Sequence, residues 1–202
     1  MQIIQHRVNN LKKLKSTNKN YGIEVDIRYH NNDIILCHDA LNHHNNACTK
    51  FSDMLEQYDL NGPIILNLKT TGVEEVCANL MQKYNIKNWF FLDMISPTFL
   101  WSIENKTFDR KNIAIRCSEY ETSTTAIAFK AHAQWIWLDC FSGKINIDDI
   151  KKLKQSGFKI CLVSPELQNY PQDEITKFKQ KLKNIKVDAI CTKNGLLWAE
   201  VE

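Results

Sequence analysis

Two acidic residues two positions apart, Glu24 and Asp26, are the first feature of the sequence that could support chemistry. They lie in the run Gly-Ile-Glu-Val-Asp-Ile-Arg, which alternates apolar and polar residues as a β-strand does. Glu24, Asp26 and Arg28 therefore share one strand face. Two adjacent buried carboxylates are costly without a counter-charge, and a divalent cation (Mg²⁺ or Ca²⁺, with Mn²⁺ as a third candidate) removes that cost. The alternative is a solvent-facing edge strand with paired surface charges.

Two histidines follow other short apolar runs. His6-Arg7 ends the first such run, and His38-Asp39 ends the run Ile34-Ile35-Leu36-Cys37. Polar residues also follow later apolar runs: Asn67, Lys69, Arg116, Glu119, Asp139 and Lys193. Parallel α/β folds put their active sites at strand carboxyl ends. Two histidines, a carboxylate pair and several cations fit metal-assisted phosphoryl chemistry, in which one imidazole takes a proton and the other protonates the leaving oxygen.

The order of elements that would position these residues is a repeated alternation of apolar runs and amphipathic segments. The predicted strands are 2–6, 22–28, 63–69, 88–93, 112–117, 134–139, 158–164 and 187–192. The predicted helices are 9–17, 51–59, 73–84, 97–103, 122–131, 146–156 and 172–184. Eight such units favour a parallel sheet closed into a compact (β/α)8 TIM barrel, forming a single domain over residues 1–202. A doubly wound open sheet is the competing architecture.

Local signals refine this outline at three places. The Asn31-Asn32 pair tolerates positive φ, which predicts a hairpin that folds His38 back over the end of the preceding strand. Trp135 and Trp137 share a face with Asp139, and core packing is the commoner use of such residues. His43-His44 lies among asparagines, which indicates a solvated loop rather than a metal site.

Composition narrows the class of protein. The 202 residues are 44% hydrophobic and 24% charged, typical of a globular protein, and the net charge of +3 is too small to indicate a nucleic-acid partner. No signal peptide or membrane-spanning run is visible, so we expect no membrane insertion and a cytoplasmic location. Of the seven cysteines, none forms a Cys-x-x-Cys pair and most fall in apolar runs, which indicates small core residues in a reducing compartment.

The motifs resemble those of the glycerophosphodiester phosphodiesterase family, whose barrel is of the phospholipase C-like phosphodiesterase type. That family has a strand ending His-Arg, then a Glu-x-Asp strand, then an apolar strand ending His-Asp. The matching residues here are His6-Arg7, Glu24-Val25-Asp26 and Ile35-Leu36-Cys37-His38-Asp39. The chain is most similar to a short subgroup with His-Arg-Val-Asn near the start.

The resemblance implies roles for individual residues. His6 and His38 would be the general acid/base pair, Arg7 would contact the phosphate, and Glu24 and Asp26 would be metal ligands. The family's Glu-x-Lys on the third strand is replaced here by Asn67-Leu68-Lys69. Lys69 would keep the phosphate-binding role of the family's lysine, and Arg116 would also bind the phosphate. An Asn67 carbonyl can still coordinate a cation, but without negative charge, so Glu119 or Asp139 would have to restore the affinity.

We therefore expect an enzyme of the phosphoric diester hydrolase class. It would hydrolyse a small soluble phosphodiester, similar to a glycerophosphodiester, with a divalent cation and two-histidine acid/base catalysis. One alternative is a phosphodiester lyase that releases a cyclic phosphate. Another is a non-catalytic barrel that retains phosphate or metal binding. The alcohol groups of the substrate and the oligomeric state stay open.

Overall fold

Eight parallel strands and the helices around them form the framework that positions these residues. A computed structural model describes residues 1–41 and 48–199. Its strands are β1 (Gln2–Gln5), β2 (Gly22–His30), β3 (Asp33–Leu36), β4 (Thr49–Lys50), β5 (Ile64–Leu68), β6 (Trp89–Leu92), β7 (Ala114–Cys117), β8 (Trp135–Leu138), β9 (Lys159–Val163) and β10 (Ala189–Thr192). All eight predicted strands are present.

Parallel pairing carries these strands around a ring. β1 pairs with β2 on one side and β10 on the other, β2 pairs with β5, and β5 pairs with β6. On the other side, β7 pairs with β8, β8 with β9, and β9 with β10. The remaining edge, between β6 and β7, is joined by an isolated parallel bridge from Phe91 to Ile113. The predicted TIM barrel is therefore confirmed, and the open doubly wound sheet is wrong.

Helices connect successive barrel strands, as predicted. They are α1 (Leu11–Ser16), α2 (Phe51–Glu56), α3 (Glu74–Lys83), α4 (Ser96–Asn105), α5 (Ser123–Ala128), α6 (Ile147–Gln155), α7 (Glu174–Leu182) and α8 (Gly195–Ala199). The short helix α8 and the two-residue strand β4 were not predicted from the sequence. Within the part of the chain that the structure describes, no helix has the length and apolar character needed to cross a bilayer.

The apolar residues separate into a barrel interior and a layer between strands and helices. The interior cluster includes Ile4, Ile65, Phe90, Trp135 and Trp137, and the rings of Phe90 and Trp135 stack with centroids 4.7 Å apart. Both tryptophans are thus core residues, as predicted. The outer layer packs the strands against the helices, so the polar side chains at the strand ends are held on a rigid base.

Strand β2 divides its side chains between these two layers as its alternation predicted. Ile23, Val25 and Ile27 pack in the outer layer with residues of α1, α2 and α3. Glu24 is paired in register with interior Ile65, so its carboxylate faces into the barrel. Asp26, which is paired with Asn67, lies two residues further along the strand and faces the same way. Both acidic side chains are buried, so the edge-strand alternative is wrong.

The predicted hairpin links β2 to β3. Asn31 and Asn32 have φ values of 49° and 64°, the left-handed conformation that asparagine tolerates. Antiparallel pairing from His30–Asp33 to Ile27–Leu36 then returns the chain along β2 and delivers His38 to the barrel mouth. The His43-His44 loop prediction lies outside the described residues.

Candidate active site

Glu24 is held inside the barrel by one donor from the turn after β1 and one donor from β5. The backbone N–H of Arg7 donates to Glu24 Oε2 at 2.7 Å, and Asn67 Nδ2 donates to Oε1 at 2.9 Å. Burial, followed by the negative charge of Asp26, raises the pKa of Glu24 to about 7. Two hydrogen bonds thus offset only part of the cost of burying this charge.

Asp26 has one well-held oxygen and one free oxygen. Asn9 Nδ2 donates to Asp26 Oδ2 at 2.7 Å, and Asn9 Oδ1 accepts from the Asp26 backbone N–H at 2.9 Å. No donor among the described residues forms a hydrogen bond with the buried Oδ1 atom of Asp26. The Lys69 ammonium lies 3.6 Å from it, which is an ion-pair distance rather than a hydrogen bond. A buried acceptor left in this way is a place where a ligand can bind.

Asn67 lies between Glu24 and Lys69 and serves both. Its amide nitrogen donates to Glu24, while its Oδ1 accepts from Lys69 Nζ at 2.9 Å. The oxygen that the sequence offered as a metal ligand is therefore directed at an ammonium group. Among the described residues, no three His, Cys, Asp or Glu side chains converge as a group that could hold a metal ion.

His6 sits against Glu24 in a strongly cationic setting. Its Nε2 is 3.9 Å from Glu24 Oε2, and its buried Nδ1 has no hydrogen-bond partner in the described part of the chain. Burial and the nearby positive charges, Arg7 and Lys193 foremost, lower the pKa of His6 to about 3. The imidazole is therefore neutral at pH 7.

The turn after His6 adopts an unusual backbone conformation that serves the site. Arg7 has φ of 51°, which for a residue other than glycine costs about 1–2 kcal/mol. This conformation accompanies the hydrogen bond of the Arg7 N–H to Glu24. Lys13 Nζ secures the same turn by donating to the carbonyl oxygens of His6 at 2.6 Å and Arg7 at 3.0 Å.

His38 is oriented through both ring nitrogens. One hydrogen bond of 2.7 Å joins Nδ1 to Asp39 Oδ1, and the Arg7 guanidinium donates to Nε2. This pattern matches the tautomer that carries its proton on Nδ1. Arg28 fixes the backbone beneath, since its guanidinium donates to the carbonyl oxygens of Cys37 at 3.2 Å and His38 at 2.9 Å. We call His6, Glu24, Asp26 and His38 the carboxylate site.

A second polar group, the ion-pair cluster of Asp93, Arg116 and Asp139, lies at the ends of β6, β7 and β8. The Arg116 guanidinium donates to both Asp93 oxygens at 2.9 Å and also binds Asp139. Burial is the main cause that raises the pKa of Asp139 to about 6. Lys69 Nζ, 3.9 Å from Asp93 Oδ2, links this cluster to the carboxylate site.

The structure therefore does not bring all the predicted residues together. Arg116 is occupied by two carboxylates rather than free to meet a phosphate. Glu119 is directed at the segment after β8, where its carboxylate accepts from the backbone N–H groups of Phe141 at 3.1 Å and Ser142 at 2.9 Å. No described hydrogen bond or ion pair joins Glu119 to Glu24 or Asp26. The predicted contribution of Glu119 to a metal site has no support in these contacts.

Sequence reasoning missed Asn9, Lys13 and Asp93 as residues that build the site. Asn9 belongs to the His-Arg-Val-Asn run, and Asp93 directly follows a strand, so position alone could have marked both. Lys13 carries no such signal, because a lysine on a short helix is usually solvated.

Comparisons with known proteins identify the architecture. No family model matches the chain, and no curated protein matches its sequence. Solved structures do match: a glycerophosphodiester phosphodiesterase from Agrobacterium tumefaciens str. C58 has a TM-score of 0.72 at 15% identity, over 99% of both chains. An Oleispira antarctica phosphodiesterase, solved with the product sn-glycerol-3-phosphate, has a TM-score of 0.70 at 13% identity, over 98% of this chain and 96% of that one.

A third solved structure extends the same likeness. The glycerophosphoryl diester phosphodiesterase from Parabacteroides distasonis has a TM-score of 0.66 at 12% identity, over 98% of this chain and 85% of that one. The chain thus has the fold of glycerophosphodiester phosphodiesterases over nearly its whole length.

Proposed function

We propose that this chain hydrolyses a small soluble phosphodiester, of the glycerophosphodiester type, at the carboxylate site. The observation that carries the proposal is the presence of three cationic side chains close to two buried carboxylates and His6 at the barrel mouth. Arg7, Lys69 and Lys193 all lie close enough to influence His6 or Asp26 electrostatically. Cations at the carboxyl ends of barrel strands suit an anionic substrate. The shared fold, and the glycerol phosphate bound to one neighbour, support the same substrate class.

Arg7 and Lys69 are the residues that would bind the phosphate. Arg7 contacts His38 through its guanidinium and is free of any described ion pair with a carboxylate. Lys69 is 3.6 Å from Asp26 and 3.9 Å from Asp93, so neither acid holds it at hydrogen-bond distance. A phosphodiester between them would receive charge-assisted hydrogen bonds from both.

His6 and His38 would move the protons of the reaction. Hydrolysis requires one group to take a proton from the attacking water and another to protonate the leaving alcohol. The Nε2 of His38 becomes available when Arg7 turns from it to a phosphate oxygen, while Asp39 keeps the tautomer fixed. The neutral His6 has an Nδ1 without a partner in the described part of the chain. Burial first, and the surrounding cations second, disfavour protonation of His6, and a bound phosphate would offset the effect of the cations.

A divalent cation fits beside these residues, with Glu24 and Asp26 holding it. The fit rests on the unpaired Asp26 oxygen and on a Glu24 carboxylate whose pKa is raised by burial. Such a cation would supply charge stabilisation for the phosphate oxygens. Asn67 could add a carbonyl oxygen only by giving up its contact with Lys69, so we expect weak metal affinity.

Direct binding measurements test the metal part of the proposal. Calorimetric titration of Mg²⁺, Ca²⁺ and Mn²⁺ into wild type, Asn67→Glu and Asn67→Ala separates the roles of residue 67. We expect tighter binding in Asn67→Glu, because a third carboxylate adds negative charge. Equal affinity in all three proteins would show that residue 67 is not a ligand. If wild type binds none of the three cations, the proposed metal site is wrong.

Activity measurements test the proposed reaction. Wild type, His6→Ala and His38→Ala should be compared on glycerophosphodiesters and on a generic phosphodiester with each of the three cations. We expect turnover in wild type that falls at least about a hundredfold in either variant. A stable cyclic phosphate as sole product would favour the lyase. No turnover on any substrate would favour a barrel that only binds phosphate.

The proposal includes a cytoplasmic location. All seven cysteines are free thiols in the structure, which fits a reducing compartment. Fractionation of cells that express the tagged chain tests this directly, and recovery outside the cytoplasm would contradict it.

A further inference from the structure

Two cysteines differ from the others in exposure and position. Cys37 and Cys48 are partly exposed, whereas the remaining five are buried: Cys77, Cys117, Cys140, Cys161 and Cys191. Cys37 follows β3 and directly precedes His38, and Cys48 directly precedes β4. The pair therefore lies at the base of the segment that carries a residue of the carboxylate site.

The strand register places these two cysteines opposite each other. β3 and β4 are antiparallel, with Ile35 paired to Lys50 and Leu36 paired to Thr49, so the next opposed pair is Cys37 and Cys48. The Cys37 N–H donates towards β2, to Asp26 O at 3.0 Å. Its N–H therefore points away from β4, so continuing the register by one residue makes the cysteines a non-hydrogen-bonded pair, for which the Cα atoms are typically about 4.5 Å apart.

This separation lies within the range that a disulfide can span, roughly 4.4–6.8 Å between Cα atoms. The two thiols also interact in the reduced protein. Burial and a hydrogen bond to Cys37 raise the pKa of Cys48 to about 11, so Cys48 keeps its proton at neutral pH. Cys37 is then the sulfur positioned to react first, with Cys48 as the resolving thiol.

We propose that Cys37 and Cys48 form a redox modification site that closes to a disulfide when a small disulfide such as glutathione disulfide is the oxidant. The Cys37 thiolate attacks one oxidant sulfur, forms a mixed disulfide and expels one thiol. Cys48 loses its proton to water and attacks the Cys37 sulfur, which expels the second thiol. Two electrons pass from the cysteines to the oxidant, and two thiols are released.

Formation of the Cys37–Cys48 disulfide would act on His38 through Asp39. In the reduced protein, Cys37 Sγ contacts Asp39 O at 3.4 Å, and Asp39 Oδ1 holds Nδ1 of His38 at 2.7 Å. A bond to Cys48 draws the Cys37 sulfur away from Asp39 and removes that contact. We expect lower turnover in the oxidised protein, an effect that rests on the proposed function.

Mass spectrometry of the folded protein tests the modification without relying on activity. Trypsin leaves both cysteines in one peptide, residues 29–50, because no Lys or Arg lies between Arg28 and Lys50. After incubation with excess glutathione disulfide and alkylation, we expect this peptide to lose two hydrogen atoms and to resist alkylation. Peptides with the five buried cysteines, alkylated after denaturation, should show no such loss and serve as internal controls.

Single substitutions complete the test. Cys48→Ser should stop at a glutathione adduct on Cys37, and Cys37→Ser should form no disulfide. A wild-type peptide that stays reduced, or that carries glutathione instead of an internal disulfide, would overturn the proposal.

Activity supplies a separate readout of the effect on His38. Turnover should fall at least threefold in oxidised wild type and recover with dithiothreitol, whereas the turnover of Cys37→Ser should not change on treatment with the oxidant. Full disulfide formation without a change in turnover would overturn the link to His38. If the reduced protein lacks phosphodiesterase activity, the proposed function fails, while the peptide masses still decide whether the disulfide forms.

Discussion

The carboxylate site and the ion-pair cluster occupy two sides of one barrel mouth, and they differ in how their polar atoms are paired. In the carboxylate site, two buried atoms, His6 Nδ1 and Asp26 Oδ1, have no hydrogen-bond partner among residues 1–41 and 48–199. In the cluster, Arg116 binds both oxygens of Asp93 and also binds Asp139, whose second oxygen accepts from Gln168. Unpaired buried atoms mark where a ligand is expected, whereas complete pairing indicates a structural role.

The same contrast applies to the cations of the two regions. Lys69 lies between Asp26 and Asp93 without a hydrogen bond to either. Arg116, in contrast, forms a bidentate contact with Asp93 and a single hydrogen bond with Asp139. A phosphate can approach Lys69 without breaking a hydrogen bond between Lys69 and a carboxylate, but it would have to displace hydrogen-bonded carboxylates from Arg116. This difference leads us to expect loss of activity from changes in one region and loss of stability from changes in the other.

The largest expected effect is on turnover in the carboxylate site. Asp26→Asn keeps the size of the side chain and removes its charge, so we expect a hundred- to thousandfold fall, roughly the loss seen when an electrostatic catalytic group is removed. Asp139→Asn is the matched control and should retain turnover within about tenfold. Steady-state kinetics on one phosphodiester checks both. Equal losses in the two variants would erase the distinction between the regions.

The next effect is on stability in the ion-pair cluster. Arg116→Ala leaves Asp139, which is 3% exposed, without its cationic partner, and we expect the free energy of unfolding to fall by about 3 kcal/mol. Lys111→Ala, which breaks the exposed pair with Asp109, should cost less than about 1 kcal/mol. Urea denaturation measures both. A cost for Arg116→Ala no greater than that for Lys111→Ala would contradict a structural role.

A pH dependence should follow from Asp139. Its pKa is about 6 in the folded chain and near 3.8 ordinarily, so the native state retains a proton that the unfolded chain has released between these values. Stability from this group is therefore lost as pH rises from about 4 to 6, by about 2 kcal/mol. The free energy of unfolding of wild type and of Asp139→Asn, measured from pH 4 to 7.5, isolates the contribution of Asp139. A constant difference between the two proteins would refute it.

The smallest expected effects distinguish two neighbouring asparagines. Asn9→Ala removes the side chain that holds Asp26, and we expect turnover to fall about tenfold, the equivalent of about 1.4 kcal/mol. Asn10→Ala removes the helix cap that accepts from the Lys13 N–H at 2.8 Å and should cost about 1 kcal/mol of stability with turnover nearly unchanged. Kinetics and thermal unfolding should be measured on both variants. If Asn9 were only structural, Asn9→Ala would lose stability with its turnover nearly unchanged.

The parts of the fold that the sequence predicted are those that depend on local pattern. Alternation in β2 was sufficient to put Glu24 and Asp26 on one face, and Asn31-Asn32 was sufficient to predict the hairpin that carries His38. In both cases neighbouring residues along the chain determine the geometry, because strand period and turn conformation are short-range properties.

The parts that escaped prediction depend on contacts between distant segments. Asn9 reaches Asp26 after a turn in which Arg7 takes the left-handed conformation, and nothing in the residue type arginine favours that conformation. The partners of Glu119 depend on where the segment after β8 runs. Likewise, Cys37 and Cys48 are separated by ten residues, and only the β3–β4 register brings them opposite each other.

The most direct test of the central claim is release of glycerol phosphate from a glycerophosphodiester, followed by ³¹P NMR, for wild type, His6→Ala and Asp139→Asn. We expect wild type and Asp139→Asn to produce the phosphomonoester at rates within about tenfold, and His6→Ala to be slower by at least about a hundredfold. Undiminished release by His6→Ala, or no release by wild type with any of the three cations, would contradict hydrolysis at the carboxylate site.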